Sequence, residues 1–444
     1  MARRVFGLPG FVWLDSAAPG QPAHDYSYIT ARPIATFRWN CGRDKTAMDM
    51  AFRSWLSRFA AEPVEGGCPF QGGAIGYLSY DYALHASERI GSRHPVSSGA
   101  CIEFGLYDTI LAFDHVRREL WIYCAGFLES GGRLKDSAID RNIRDLAELV
   151  SGEAPAKQSS QSVWDAWAAH PSQQAYQDNV REVHENILDG EIYQANIAHL
   201  WERPAAGIEA AFKEYLAVRS LTQAPFSSFC RFETRTLSCF SPERLVSMDA
   251  GRKVRAEPIK GTARRSQDAA GDEQAAEMLR QSAKDRAENI MIVDLLRNDL
   301  SRVCEPQSVE VTRLCEIERL PNIFHLVSTI EGRLRNGADV VDLLNAVFPG
   351  GSVTGAPKLR AMEIIDALEP ASRGAFCGSL GYIGYDGACD FNIMIRTIEH
   401  LDGLSRYWSG AGLTLSSDPE QEWREVQLKA ERILGLGEGR AVAQ

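Results

Sequence analysis

The stretch Glu257-Pro258-Ile259-Lys260-Gly261-Thr262 constrains the fold more than any other part of the chain. It follows a strand-like run through Leu245, Ser247, Lys253, Val254 and Arg255. Pro258 fixes its own φ and biases Glu257 toward extended geometry. Gly261 lets the backbone approach whatever lies opposite. Lys260 is therefore expected at the end of a rigid strand, and rigid presentation is what a catalytic side chain needs. The competing reading is a solvated lysine in a basic segment, because Arg252, Lys253, Arg255, Arg264 and Arg265 lie close by.

A chain of 444 residues accommodates two or three domains, or one large composite domain. Its net charge of -11 argues against a nucleic-acid partner. No apolar run approaches the length of a membrane span. The N-terminus has two arginines before an apolar stretch, but Pro9 and Asp15 interrupt it, so no signal peptide is expected. Ten cysteines without a CxxC pair exclude the usual zinc and thioredoxin patterns. They predict reduced thiols and a cytoplasmic protein.

Residues 1–150 read as mixed strands and helices. One strand is expected over 26–37, a helix over 46–61, a buried strand after the Gly72-Gly73 turn, and two strands within 102–123. Residues 151–163 are small, polar and aperiodic, and are expected to link this N-terminal region to a second region, 164–440. That region opens with a helix through Tyr176, Val180, Val183 and Ile187, stopped at Asp189-Gly190. A strand over 191–198 places Gln194 and Asn196 on one face. One long helix is expected over 271–300, with Lys284, Glu288 and Ile292 on a shared face. His325 falls on a strand over 322–330, and a hairpin over 378–398 turns at Tyr385-Asp386-Gly387. Arg396 lies off its second strand. The last helix begins at Asp418-Pro419, buries Trp423, Val426, Ala430 and Ile433, and presents Glu422, Glu425 and Lys429 on another face. No GxGxxG is present, and the glycine-rich loop 349–358 has the wrong spacing for a phosphate loop, so nucleotide binding is rejected. Backbone N–H groups at a helix N-terminus still favour an anion such as a carboxylate.

Several pieces, in order over residues 176–435, resemble the chorismate-utilising enzymes. They are Gly190 to Asn196, Ser241-Pro242-Glu243-Arg244, Lys284 to Leu295, Arg297 to Leu300, His325 to Ser328, Pro349 to Lys358, Gly384-Tyr385, Arg396-Thr397, and Glu422 to Glu425 with Lys429. The N-terminal part is similar more loosely, through Leu14-Asp15-Ser16 and Pro69 to Asp81. The resemblance implies an α+β fold of two large facing antiparallel β-sheets with helices outside.

The resemblance also implies roles. Glu288 and Glu425, with Glu422 nearby, would carry Mg²⁺ between protein and a chorismate carboxylate. Arg396 would clamp the pyruvyl carboxylate, assisted by the backbone of Gly410, Ala411 and Gly412. Gln194, Thr262, His325, Ser352 and Lys429 would line the same substrate site. Glu243 would protonate the departing C4 hydroxyl, and Lys260 would be the nucleophile.

Two positions discriminate between branches. Isochorismate and salicylate synthases carry a water-activating lysine where this chain has Gln194. Anthranilate synthases usually carry alanine where it has Lys260, and Pro-Ile-Lys-Gly-Thr is typical of the aminodeoxychorismate branch. The expectation is a transaminase-class amination of chorismate at C4, with ammonia from a separate glutamine amidotransferase subunit, because no amidotransferase segment is left once the family region is assigned. The alternatives are an anthranilate synthase component and a non-catalytic homologue that binds a ligand such as tryptophan. Glu257 departs from the basic or neutral residue that relatives often carry, and is expected to face away from Lys260.

Overall fold

A computed structural model describes residues 1–17, 25–42, 44–87, 90–95, 99–152, 166–266, 268–320 and 323–435. Among them lie an eleven-stranded and a ten-stranded sheet, both built of antiparallel pairs. Strand alternation sorts side chains between two kinds of core. In the eleven-stranded sheet Tyr28 and Ile110 face inward and join Ile75, Tyr77 and Leu380 of the ten-stranded sheet. Their neighbours Ile29 and Leu111 face outward. That outer face is covered by Tyr176, Val180 and Val183 of helix Gln173–Leu188, by Phe212 and Tyr215 of helix Ile208–Thr222, and by Val426, Ala430 and Ile433 of helix Pro419–Leu434. The α+β architecture of two facing sheets with helices outside is the one the sequence resemblance implies.

Both sheets draw strands from both ends of the chain. Val12–Asp15 and Tyr26–Thr30 pair in the same sheet as Leu404–Leu413, and Gly73–Leu78 pairs with Ser379–Gly384 in the other. Most of the predicted linker, from residue 153 on, lies outside the described residues.

Several expectations need correction. The strand expected over 26–37 is two strands, Tyr26–Thr30 and Ala35–Trp39, in different sheets. Pro33 interrupts them, after Arg32 turns the chain at φ 56°. Residues 102–123 hold parts of three strands, not two. The helix expected over 271–300 is two, Ala269–Gln281 and Ala283–Ser301. Ser282 ends the first and caps the second, accepting from the backbone N of Asp285 at 3.3 Å. Pro357, near the end of the glycine-rich loop, is the N-cap of helix Lys358–Leu368. The cysteines are not all reduced. Cys41 and Cys101 are joined as a disulfide with Cα atoms 5.3 Å apart, and eight others are free. Pairing of Trp39 with Ile102 brings those two together.

Candidate active site

Two strands, Lys253–Ala256 and Ile259–Arg264, are separated by Glu257-Pro258, and both pair with Ile323–Arg333. The second pairing slips by one residue between Ile259 and Thr262. Lys260 and Gly261 form that bulge, which re-aims a side chain. Gly261 has φ 79°, and a Cβ there would stand 2.8 Å from the Asp285 carboxyl carbon. Glycine thus lets the strand pass against the start of helix Ala283–Ser301. Lys260 stands just after the proline, within a second strand rather than at the end of the first.

The bulge opens into a cavity of about 570 Å³ between the sheets. Glu243, Lys260, Thr262, Glu288, His325, Ser352, Arg396, Gly410, Gly412, Glu422, Glu425 and Lys429 all line it. Two expected residues do not. Ala411 alternates onto the opposite face of its strand and is buried under the outer helices. Gln194 lies beneath the wall, where a side chain on Gly412 would collide with its Nε2 and stand 3.9 Å from Lys260 Nζ. Thr262 is exposed at the rim.

Glu243 is held rigidly by its backbone. Its carbonyl oxygen accepts from Ile393 N at 3.0 Å, and its N–H donates to Ser241 Oγ at 3.2 Å. Lys260 Nζ donates to the main-chain oxygen of Ser352 at 3.2 Å. Burial lowers the Lys260 pKa and Lys429 lowers it further, against the pull of Glu243, Glu288 and Glu425. Burial raises the Glu243 pKa, and Lys260 only partly offsets it. Both shifts favour a neutral amine facing a protonated carboxyl group. In that state an amine can act as a nucleophile and a carboxylic acid can donate a proton.

Across the cavity, burial raises the pKa of Glu288 and of Glu422. Glu425 is also desolvated, but the Lys429 ammonium, 2.7 Å away, with Lys284 and Lys260, holds it below its ordinary value. Lys429 Nζ also donates to the Gly410 carbonyl oxygen at 3.0 Å. His325 is buried, and burial with the nearby Arg396 charge lowers its pKa to about 4. It is a neutral imidazole at ordinary pH. Arg396 has φ 51°, past the end of strand Cys389–Asn392.

The site includes residues that sequence reasoning gave no role. Lys284 lines the mouth one helical turn before Glu288, and the shared i, i+4 face was its signal. Arg373 is buried and donates to Glu369, to Val353 O at 3.0 Å and to Asn196 O at 2.6 Å. It ties the turn carrying Ser352 to strand Gln194–Pro204, and no periodicity marks it.

Residues 10–435 match a family described as chorismate binding enzyme. The chain belongs to that family. Among chorismate binding enzymes it is 34% identical to aminodeoxychorismate synthase component 1 of Escherichia coli (strain K12), over 97% of this chain and 94% of the relative. It is 35% identical to anthranilate synthase component 1 of Streptomyces coelicolor, over 92% of this chain and 80% of the relative. Its fold matches the crystal structure of anthranilate synthase component I from Streptococcus pneumoniae TIGR4 with a TM-score of 0.81, at 27% identity, covering 94% of this chain and 93% of that one. No described helix is long and apolar enough to cross a membrane.

Proposed function

We propose that this chain is the aminating component of an aminodeoxychorismate synthase, a cytoplasmic enzyme. It replaces the C4 hydroxyl of chorismate with an amino group from ammonia, giving 4-amino-4-deoxychorismate and water, on the way to 4-aminobenzoate and folate. The observation that carries this reading is Lys260, a half-buried amine of lowered pKa that lines one cavity with Glu243 and donates to the Ser352 carbonyl oxygen there. The Lys260 nitrogen attacks C2, the ring double bonds shift, and the C4–O bond breaks as Glu243 gives its proton to the leaving hydroxyl. Ammonia then forms the C4–N bond, the double bonds shift back, and the C2–N bond to Lys260 breaks. The lysine leaves as a neutral amine once the proton of the attacking ammonia returns to Glu243. Arg396 supplies a planar fork for one substrate carboxylate. Gln194 cannot act as a base toward water, which disfavours hydroxylation at C2.

The carboxylates also suit a magnesium ion. Glu288 Oε1 is buried without a hydrogen-bond partner, an oxygen left for a cation. Among the described residues no three His, Cys, Asp or Glu side chains gather tightly enough to hold an ion alone. Mg²⁺ commonly rests on one or two carboxylates, completed by waters and substrate oxygens. Glu288 and Glu425, with Glu422, would hold it, and it would supply charge for a second substrate carboxylate.

The ammonia is proposed to come from a separate glutamine amidotransferase subunit, in keeping with the "component 1" in the relatives' names. The test is mass spectrometry of the product from chorismate, Mg²⁺ and ammonium. Aminodeoxychorismate supports the reading, and a fluorescent anthranilate formed without an added lyase overturns it. Glutamine alone should support no turnover, whereas ammonium should, faster as pH rises and more NH₃ forms.

A further inference from the structure

Arg244 follows Glu243 in the chain, yet its side chain turns away from the cavity. It is 9% exposed. Its Nε and Nη2 donate to the two oxygens of Asp390 at 2.8 and 2.9 Å. Its Nη1 donates to Glu257 Oε2. The other oxygen of Glu257 accepts from Arg255 Nη2 at 2.7 Å. One guanidinium thus joins three segments: strand Arg244–Met248, which begins beside Glu243; strand Cys389–Asn392; and Glu257-Pro258, which leads into Lys260.

We infer that Arg244 is a positioning residue that holds Lys260 opposite Glu243 through its clamp on Glu257. The inference rests on the roles proposed above for those two residues. Neither Arg244 nor Glu257 lines the cavity, so neither touches a substrate there, and Glu257→Gln, which removes the charge but keeps an acceptor, tells a backbone path from a through-space one. The path is short: Glu257 precedes Lys260 by three residues, and Pro258 removes a rotation between them. The bulge at Lys260 and Gly261 interrupts the regular pairing that would otherwise hold that segment. An anchor just upstream replaces it. The geometry needs the fork of an arginine, because one carboxylate is held at two points while another is held at a third.

A buried ion pair that only stabilises the fold would leave the same picture, so the test reads positioning separately. Glu257→Ala removes the anchor while Arg244 keeps Asp390, and Glu257→Gln keeps an oxygen able to accept from Arg244. With ammonium as nitrogen donor, Glu257→Ala should lower kcat about tenfold with KM for chorismate within twofold of the parent, as a misplaced reacting group does. Glu257→Gln should recover most of that loss. Carbamylation of Lys260 by cyanate, read on its peptide by mass spectrometry, should change at least threefold in rate in Glu257→Ala. A kcat within twofold of the parent in Glu257→Ala overturns the inference, as does a loss in kcat that Glu257→Gln fails to recover. Should the parent protein not aminate chorismate at all, the proposed function fails, and the labelling rate alone decides: changed, the clamp stands; unchanged, it falls.

Discussion

The Lys260 side-chain nitrogen and the Ser352 carbonyl oxygen, 3.2 Å apart, join the two sheets at their shared cavity. Lys260 comes from the ten-stranded sheet, and Ser352 from the turn before Gly355–Ala356 at one end of the other. The amine is thus pinned at one hydrogen on the wall of the cavity.

Lys260→Arg separates nucleophile from charge. Arginine keeps a cation and donors for Ser352 but is a very poor nucleophile, so turnover should fall at least about a hundredfold. With ammonia withheld, the parent protein incubated with chorismate should gain the mass of chorismate minus water on the Lys260 peptide, and the variant should not. Near-normal turnover in Lys260→Arg, with no adduct trapped, would leave the lysine a purely electrostatic role.

Neutralising Glu288 tests the metal. Glu288→Gln should lower activity at least about tenfold and raise the Mg²⁺ concentration needed for half-maximal rate. Its thermal midpoint should not fall, because the variant removes a desolvated charge whose Oε1 has no partner in the protein. Unchanged turnover at low Mg²⁺ would reject the assignment.

The buried histidine gives a pH signature. The folded-state pKa of His325 is lowered to about 4 from an ordinary 6.5. Below about pH 6.5 the unfolded chain takes up a proton that the folded chain refuses, so this term is fully present above 6.5 and is lost as pH falls toward 4. Relative to His325→Asn, which cannot titrate, the parent protein should lose stability over that window. Parallel melting curves from pH 7 to pH 4 would show that the imidazole is not held neutral.

Arg373 carries the turn opposite Lys260, and it is buried with its carboxylate partner Glu369. Arg373→Met leaves Glu369 without its counter-ion and frees the Val353 and Asn196 carbonyl oxygens. The cost should be about 3–5 kcal/mol, measured by urea unfolding. A cost within that of a surface substitution would mean that the turn is held by other contacts.

Much of this site was legible because its chemistry sits on regular elements. Helical spacing put Glu422, Glu425 and Lys429 on one face, and all three line the cavity. Glu257 does face away from Lys260, as alternation predicts, toward Arg244 and Arg255. What failed has local causes. A serine cap split an otherwise continuous helical pattern at 282, and a proline sent 26–30 and 35–39 to different sheets. Ala411 shares a segment with the glycines beside it, but only those neighbours face the cavity, because the strand has a period of two. Arg373 and the Asp390 clamp join residues far apart in the chain, and one sequence holds no signal for such pairs.

The crossing of both sheets by strands from each end of the chain has a bearing on biogenesis. Glu422, Glu425 and Lys429 are among the last described residues to be synthesised, and their helix packs on Tyr176 and on strand Leu404–Leu413. A chain growing from its N-terminus can pair Tyr26–Thr30 with Thr109–Asp114 early, yet Gly73–Leu78 must wait about three hundred residues for Ser379–Gly384. Until then, that half-built sheet presents an open edge of unpaired backbone groups, a template for the wrong partner.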